Sequence, residues 1–397
     1  MLVFDDRARL GNTPGLHALL AGVGMYPHLP RGGAQPAPKD FGMGQLKSPA
    51  LTAYQLCQWL IRRKDNLPVP LATCRLLLSP TAEEIVAEAA LGNNIQRCTW
   101  DNFVQEAKAW RKDAGTSPQN QTFFYFGGHG VQRSRTDSVM LMQDFGDGMG
   151  GTLHRGAALE NIFSAMAPTF NWPNIARTQF YFVDACRAQP ESFKDSELLK
   201  VPDVMDVDVG GRDDRRAPIF FASVAGASAY ALDGKPTLFG LALKNSLEGD
   251  GADLRDDGNG GGEWVVTSHS LDKALSAQLI LLNKKHGADQ DSRMGGIASD
   301  ADLHRLDGPP AIDVAMEIDP VAALACTTLH VEHPETNAPA CQLPVPMNPH
   351  PYVQQLAAGY YRLRASIAPP TPPYFDVPPK LFKASPMNRK WKVKVAP

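Results

Sequence analysis

The sequence predicts an α/β domain with a mostly parallel sheet between layers of helices, followed by a small all-β module. Runs of apolar and aromatic residues suited to buried strands alternate with helical segments as far as residue 306, which is typical of a parallel sheet covered on both faces. Two of these runs end in residues that can carry chemistry. Beyond residue 308 apolar residues alternate with polar ones, and prolines separate the runs.

The N-terminal part of the chain contains two of the predicted strands and three helices. We expect strands at 16–23 and 73–78, and helices from 49 to about 64, from 82 to about 91 and at 100–112. Ser48 and Pro49 are typical of a helix start, with Ser as the cap and Pro in the first turn. Thr81 and Glu84 have the spacing of a capping box, which predicts the start of the next helix. Residues 27–47, rich in Gly and Pro, predict a loop.

The middle of the chain contains the strands that bear on function. We expect strands at 121–126, 179–184 and 219–224, and helices at 155–166, 238–247 and 268–285. The Gly- and Asp-rich stretch 250–262 predicts a turn. The acidic segment after the 179–184 strand shows neither helical nor strand periodicity, so we expect an exposed linker loop over about 192–217.

The C-terminal part is expected to form a domain of its own. Period-two runs occur at 312–318, 361–367 and 391–395, and short strands separated by turns are typical of a β-sandwich-like fold. The predicted division is a domain at 1–307, which carries the candidate site, and a β-sandwich-like domain at 308–397.

The composition is that of an ordinary globular protein, and it argues against several function classes. Hydrophobic residues make up 43% of the 397 residues, charged residues 20%, and the formal net charge is −3. A weakly acidic chain offers no electrostatic reason to bind nucleic acid or an anionic membrane. The N-terminus lacks the basic and apolar regions of a secretory signal, so we expect a cytoplasmic protein whose six cysteines are reduced.

A cysteine and a histidine stand where two of the predicted strands end. The 179–184 run leads to Cys186, and the 121–126 run leads through two glycines to His129. The carboxyl ends of neighbouring parallel strands meet at one edge of a sheet, so a thiol and an imidazole can meet there. An imidazole promotes ionisation of the thiol, and the thiolate is the nucleophile. Either residue alone is more often structural, whereas the pair indicates a cysteine nucleophile with a histidine base.

Backbone N–H groups beside the two residues can serve as an oxyanion hole, which attack on an amide carbonyl needs. The candidate donors are the N–H of Gly130, which directly follows His129, and the N–H of Cys186. Glycines around His129 let the backbone approach a substrate closely. These are the parts of an acyl-transfer site, and they predict a cysteine peptidase.

The segments around these residues resemble the caspase-like peptidases, a clan of caspases, metacaspases and bacterial orthocaspases. The matching stretches are Tyr-Phe-Gly-Gly-His-Gly at 125–130 and Phe-Val-Asp-Ala-Cys-Arg at 182–187, and the caspase signature likewise has a histidine about 50 residues before the cysteine. The resemblance extends over roughly residues 14–306 and implies a caspase-like sheet sandwiched by helices. It also implies that Cys186 is the nucleophile and His129 the base.

Asp184 departs from the caspase signature, which has glutamine two residues before the cysteine. Metacaspases and orthocaspases have Asp at this place, and in them it lies in the S1 pocket and selects Arg or Lys. A buried carboxylate facing a guanidinium makes a bidentate, charge-assisted pair. We therefore expect cleavage after Arg or Lys and not after Asp. The alternative is that Asp184 only caps the following turn.

The linker after the cysteine carries the candidate cleavage sites Arg212, Arg215 and Arg216. In the family this interval joins the large and small subunits and is often cut on activation. The resemblance therefore implies a zymogen that is cut by itself or by an upstream protease, and exposed loops are where proteolysis is easiest. The alternative is a solvated surface loop.

No cofactor is expected, although some metacaspases need calcium bound by clustered aspartates. The candidate aspartates are Asp144, Asp147 and Asp195. The stretch 253–259 looks like a calcium loop but lacks the twelfth-position Glu of an EF-hand. A turn rich in Gly and Asp is usually only a turn.

Together these features predict a cysteine endopeptidase that cleaves protein substrates after basic residues. The resemblance implies regulated proteolysis, such as bacterial cell death or antiviral defence, without a nucleic-acid or membrane partner. One alternative is a catalytically silent scaffold that recruits partners through the C-terminal domain. Another is an acyltransferase or ligase that uses the same thioester.

Overall fold

The structure of the chain, a computed structural model, contains helices and strands in alternation up to residue 306, and beyond it strands and one 3-10 helix (Val321–Cys326) in the described residues. It describes residues 1–132, 138–186, 200–208, 210–223, 234–256, 258, 262–341, 343, 349–368, 374–386 and 388–395. The helices are α1 (Arg7–Leu10), α2 (Pro49–Arg62), α3 (Ala82–Ala87), α4 (Trp100–Ala114), α5 (Leu159–Ala165), α6 (Leu238–Asn245) and α7 (Ser268–His286). In the described residues, none of the helices is long and apolar enough to cross a membrane.

The strands fall into a group that precedes residue 307 and a group that follows it. The first group is β1 (Leu2–Asp5), β2 (Leu16–Val23), β3 (Leu71–Ser79), β4 (Gln121–Gly128), β5 (Gly130–Gln132), β6 (Ser138–Leu141), β7 (Gly156–Ala158), β8 (Thr178–Ala185), β9 (Ala217–Phe221), β10 (Ala252–Asp256), β11 (Gly262–Thr267), β12 (Arg293–Ile297) and β13 (Asp302–Leu306). The second group is β14 (Ala311–Asp319), β15 (Thr327–Glu332), β16 (Tyr352–Ala357), β17 (Gly359–Ile367), β18 (Val377–Ala384) and β19 (Lys390–Lys394).

A seven-stranded sheet in the order β1-β3-β2-β4-β8-β9-β12 organises the first part of the chain. Strands β2, β3, β4, β8 and β9 run parallel, and the edge strands β1 and β12 are antiparallel to their neighbours. Strands β2, β3 and β4 are buried along their whole length, as parallel strands covered on both faces are. The prediction of a mixed α/β fold with a mostly parallel sheet is confirmed.

Helices cover both faces of this sheet. Phe124 of β4 and Tyr181 of β8 lie on one face and pack against Trp110 of α4. On the other face, the hydroxyls of Tyr125 and of Thr237, the residue before α6, donate to the same carboxylate. Consecutive strand residues point to opposite faces, so α4 and α6 lie on different sides of the sheet.

The N-terminus of α2 has a cap that comes from another part of the chain. The carboxylate of Glu84 accepts the N–H groups of Ala50 (2.8 Å) and Leu51 (3.2 Å), so this side chain, and not that of Ser48, caps α2. Glu84 also forms the predicted capping box with Thr81 at the start of α3. One buried carboxylate therefore caps two helices.

Several short strands are absent from the predictions. Strands β5, β6 and β7 form a small antiparallel sheet, and β7 occupies the start of the predicted 155–166 helix, which begins only at Leu159. Strands β10 and β11 pair where a turn was expected. The edge strands β1 and β12 are also unpredicted. Each has three to six residues, which is too short for periodicity to show.

The chain divides into two compact units. One comprises Met1–Ser246 and Val266–Arg305, and the other comprises Leu247–Val265 and Leu306–Pro397. The second unit contains two three-stranded sheets, β16-β14-β19 and β15-β17-β18. The predicted period-two runs correspond to β14, β17 and β19. Along β14 every second side chain is buried, as the alternation in the sequence predicts.

Candidate active site

The predicted cysteine and histidine follow neighbouring strands at the carboxyl edge of the main sheet. Strands β4 and β8 pair in parallel with Gly128 opposite Ala185, so His129 and Cys186 are the next residues along the two strands. Adjacent strands lie about 4.8 Å apart. The chain leaves β2 for β3 on one side and returns to β4 on the other. The topological switch point, where open α/β sheets bind ligands, therefore lies between β2 and β4, and the strand that leads to His129 borders it.

His129 is nearly buried, whereas Cys186 is half-buried. The exposed fraction of His129 is 8%, and burial lowers the pKa of its imidazole. A lowered pKa keeps the ring neutral near neutral pH, which is the form that can take up a proton. Cys186 differs from Cys57, Cys74 and Cys98, which are all buried.

The imidazole of His129 is held by a backbone carbonyl from the loop that precedes α2. Its Nε2 lies 2.7 Å from the carbonyl oxygen of Gly44. A carbonyl only accepts hydrogen bonds, so Nε2 carries the proton and the neutral ring has its lone pair on Nδ1. The loop was predicted from the sequence, but nothing in its composition indicated that it supplies this carbonyl.

Tyr26, which follows β2, also contacts His129. Its hydroxyl accepts the backbone N–H of His129 (2.8 Å) and donates to the carbonyl of Leu141 (3.2 Å). The two rings lie 4.8 Å apart, and Tyr26 is fully buried. A Cβ at Gly128 would lie 2.8 Å from this hydroxyl, so only glycine admits Tyr26 here. No motif in the sequence indicated a role for Tyr26.

The backbone of Gly130 lies against that of Cys186. A Cβ at Gly130 would be 2.8 Å from the Cys186 carbonyl oxygen. Leu141 donates its N–H to the carbonyl of His129 (3.0 Å), so the next pair along the ladder, Gly130 and Met140, is a non-hydrogen-bonded pair. The N–H of Gly130 therefore points away from β6.

Asp184 is buried with one of its carboxylate oxygens unpaired. Its exposed fraction is 3%, and its Oδ2 accepts the hydroxyls of Tyr125 (2.7 Å) and Thr237. Its Oδ1 is buried, and it has no hydrogen-bond partner among the residues that the structure describes. Burial raises the pKa of Asp184 to about 6, and the two hydroxyls only partly offset this. A buried, unpaired carboxylate oxygen is costly unless a donor reaches it.

The hydroxyls that hold Asp184 belong to a wider network. Thr237 accepts the N–H of Gly240 (2.9 Å) as the cap of α6 and donates its own N–H to the hydroxyl of Thr52 (3.0 Å). The Thr52 hydroxyl donates to the carbonyl of Ser48 (2.8 Å). The orientation of Asp184 is therefore fixed by the starts of α2 and α6.

The three candidate cleavage sites differ in accessibility. Arg212 is exposed and lies outside any helix or strand. Arg215 is buried, with its guanidinium hydrogen-bonded to the carbonyl of Phe163 (2.8 Å) and the side chain of Gln179 (3.1 Å). The backbone of Arg216 bridges to the start of β8. Only Arg212 combines an exposed side chain with a backbone outside the sheet.

The expectation of a wholly exposed linker is wrong for its middle part. Val204 and Met205 are buried, and the side chain of Asn161 on α5 accepts both their N–H groups (2.9 and 3.1 Å). Arg111 of α4 donates to the carbonyl of Asp206 (2.9 Å). An apolar pair inside an acidic segment was the feature of the sequence that could have indicated this buried part of the linker.

Two of the aspartates considered for calcium pair with an arginine. The guanidinium of Arg155 lies 2.8 Å from Asp147 and 3.5 Å from Asp144. In the described residues no group of three or more potential metal-binding side chains occurs. Asp195 lies outside the described residues, as do Arg187 of the cysteine motif and part of the 253–259 stretch.

Comparison with known proteins reveals distant relatives. No protein-family profile matches the chain. The uncharacterized protein y4kE of Sinorhizobium fredii is 26% identical over 269 residues, which covers 64% of this chain and 72% of that protein. A protein of a Desulfuromonadales bacterium, named "Probable protease", is 28% identical over 148 residues, which covers 36% of this chain but only 16% of that protein.

A comparison of structures finds the crystal structure of protein GSU0716 from Geobacter sulfurreducens. The two are 15% identical in sequence with a TM-score of 0.38, and the match covers 71% of this chain and 93% of that one.

Proposed function

We propose that the chain is a cysteine endopeptidase of the caspase-like type, with Cys186 as nucleophile and His129 as base. The observation that carries the proposal is the pairing of Gly128 with Ala185, which brings the two residues to the carboxyl edge of the sheet, beside its switch point. The resemblance of the two motifs and the distant similarity to a protein named as a protease support it.

The reaction follows from the groups at this edge. Nδ1 of His129 takes the proton of the Cys186 thiol, and the thiolate attacks the scissile carbonyl carbon. The N–H groups of Gly130 and Cys186 donate to the oxyanion. His129 then gives its proton to the leaving amine, which leaves a thioester on Cys186. Water, deprotonated by His129, hydrolyses the thioester and restores the thiol.

Selectivity for Arg or Lys before the scissile bond follows from Asp184. Its Oδ1 is buried without a partner in the described part of the chain, whereas Oδ2 is held by two hydroxyls. A guanidinium or ammonium group of the substrate would supply the missing donor together with the opposite charge. The buried carboxylate therefore favours a basic side chain and disfavours an acidic one.

Activation by cleavage is proposed at Arg212. The side chain of Arg215 would first have to leave its buried contacts with Phe163 and Gln179 to enter an active site. Arg212 is exposed and free of that cost. The cut is made by the enzyme itself or by an upstream protease, which suits regulated proteolysis such as bacterial cell death or antiviral defence.

The test is hydrolysis of fluorogenic peptides with Arg, Lys or Asp at the P1 position. We expect turnover of the Arg and Lys peptides, with kcat/KM lowered at least roughly a thousandfold in Cys186→Ala and in His129→Ala. Cys326→Ala, at a half-buried cysteine of the second unit, is the control and should keep full activity. Unchanged turnover in Cys186→Ala would overturn the proposal, and faster turnover of the Asp peptide would overturn the selectivity.

The masses of the products separate hydrolysis from acyl transfer. Hydrolysis gives a product with a free carboxylate, whereas a transferase or ligase joins the acyl group to an added amine. We expect the hydrolysis product to dominate in the presence of a free amino acid amide.

A further inference from the structure

We propose that Tyr26 and Gln45 are positioning residues for His129. Tyr26 holds the backbone of His129, and Gln45 holds the carbonyl of Gly44 that accepts the ring proton. This inference rests on the proposed peptidase function, in which His129 is the base. It adds two residues that act through the backbone and ring of His129.

The hydroxyl of Tyr26 is inserted into the ladder that β6 forms with the segment after β4. Leu141 donates its N–H directly to the carbonyl of His129 (3.0 Å). In a regular antiparallel pair the N–H of His129 would donate back to the carbonyl of Leu141. Here both groups bond to the Tyr26 hydroxyl instead, at 2.8 and 3.2 Å. The backbone of His129 is therefore placed by the side chain of Tyr26, which follows β2.

Gln45 binds the backbone of Tyr26 on both sides. Its side-chain oxygen accepts the Tyr26 N–H (2.7 Å), and its amide nitrogen donates to the carbonyls of Tyr26 (2.9 Å) and Pro30 (3.0 Å). Gly44 is the residue directly before Gln45, so these bonds fix where the Gly44 carbonyl lies. The loop is thereby closed onto Tyr26.

The contacts that hold the backbone and the ring of His129 thus both depend on Tyr26. The backbone of His129 is bonded to the Tyr26 hydroxyl, and its ring is bonded to a carbonyl that Gln45 ties to the Tyr26 backbone. A neutral imidazole can carry its proton on either nitrogen, and the partner of one nitrogen decides which. Loss of alignment at Gly44 therefore populates the tautomer whose Nδ1 cannot accept a proton.

The experiment measures the reactivity of the Cys186 thiol and the tautomer of the His129 ring, and it needs no peptide substrate. In a Cys326→Ser, Cys341→Ser background, the rate of alkylation of Cys186 by iodoacetamide reports its thiolate. Nitrogen-15 NMR of histidine-labelled protein, assigned with His129→Ala, reports the tautomer. The variants are Tyr26→Phe, which keeps the ring and removes the hydroxyl, and Gln45→Met. Gln35→Met, at an exposed glutamine of the same loop, is the control.

We expect the two variants to slow alkylation of Cys186 roughly tenfold to a hundredfold, since a small misplacement of a reacting group has effects of that order. Gln45→Met should also show a mixture of His129 tautomers, where the parent shows only the form protonated on Nε2. Gln35→Met should match the parent in both measurements. Parental rates and a parental tautomer in both folded variants would overturn the inference.

Folding and the proposed function are checked separately. Gln45 is half-buried in a loop, so Gln45→Met decides the question if Tyr26→Phe does not fold. If His129→Ala leaves alkylation unchanged, the dyad of the proposed function fails. If His129→Ala slows alkylation but the Tyr26 and Gln45 variants do not, only the positioning role fails.

Discussion

At the scale of a single residue, the ionisation that the proposed function requires of Asp184 lowers the stability of the chain. Its pKa is raised to about 6 by burial, whereas an unfolded chain has the ordinary value of 3.8. The folded protein therefore holds this proton more tightly than the unfolded one. The contribution of Asp184 to the free energy of unfolding is greatest below pH 4 and is lost as pH rises through about 6. Above that pH the ionised carboxylate costs roughly 2–3 kcal/mol.

Asp184→Asn is therefore expected to raise the stability of the chain above pH 6 and to leave it nearly unchanged near pH 4. Asparagine keeps an oxygen for the hydroxyls of Tyr125 and Thr237 but never ionises. The measurement is thermal unfolding at pH 4.5 and 7.5, with the exposed Asp40→Asn as control. An equal change at both pH values would contradict the raised pKa.

The same substitution is expected to lower kcat/KM for an Arg peptide roughly a hundredfold to a thousandfold, because it removes one charge of a buried pair. In the parent, KM for this peptide should fall as pH rises through about 6, since only the ionised carboxylate attracts the guanidinium. Asp184→Asn should lose that dependence. Steady-state kinetics from pH 5 to 8 check both statements, and a neutral P1 peptide serves as the control substrate.

At the scale of elements, Glu84 joins the starts of two helices. Its carboxylate accepts the N–H groups of Ala50, Leu51 and Thr81, so Glu84→Ala leaves several buried donors without an acceptor. We expect a loss of about 3 kcal/mol in the free energy of unfolding, measured in urea. The exposed neighbour Glu83→Ala is the matched control and should change stability little. Equal losses in the two variants would show that the caps contribute nothing.

In the linker between β8 and β9, the exposed stretch around Arg212 is anchored on both sides by buried residues. Asn161 binds Val204 and Met205 before Arg212, and Arg215 is buried after it. Among the three linker arginines, brief trypsin treatment is therefore expected to cut after Arg212 first. The fragments 1–212 and 213–397 should still elute together under native conditions, because β8 and β9 belong to one sheet.

Arg212→Ala is expected to remove that first cut without making the peptide bond after Arg215 accessible to trypsin. Mass spectrometry of the digest identifies the sites, and Arg62→Ala, at an exposed arginine of α2, is the control. A first cut after Arg215, or fragments that separate, would contradict the anchoring of the linker.

The sequence predicted what depends on neighbouring residues and missed what depends on distant ones. The capping box of Thr81 and Glu84 is local and was found, whereas the cap that Glu84 provides for α2 comes from 34 residues away. The strand ends before His129 and Cys186 were found because buried strands have a clear composition. Tyr26 and Gly44 were missed because tertiary contacts, and no periodic pattern, place them.

At the scale of the whole molecule, the two compact units are not consecutive segments of the chain. Residues Leu247–Val265 lie between α6 and α7 but belong to the second unit together with Leu306–Pro397. Within that unit Asp250 pairs with Arg389, and a Cβ at Gly249 would lie 2.6 Å from Pro310. Removal of the C-terminal part alone therefore leaves residues 247–265 without the rest of their compact unit.

A chain that ends at residue 306 is thus expected to bind more of a dye for exposed apolar surface than a chain that also has 247–265 replaced by a short Gly-Ser linker. Leu247 and Trp264 are buried in the full chain. In the chain that ends at residue 306 they lose the rest of the second unit, so their apolar side chains become exposed. Dye fluorescence and thermal unfolding of both shortened chains, beside the full chain, measure this. Because the carboxyl edge with His129 and Cys186 belongs to the first unit, the chain with the linker should keep the parental alkylation rate of Cys186. Equal dye binding by the two shortened chains would show that Leu247–Val265 folds independently of the C-terminal strands.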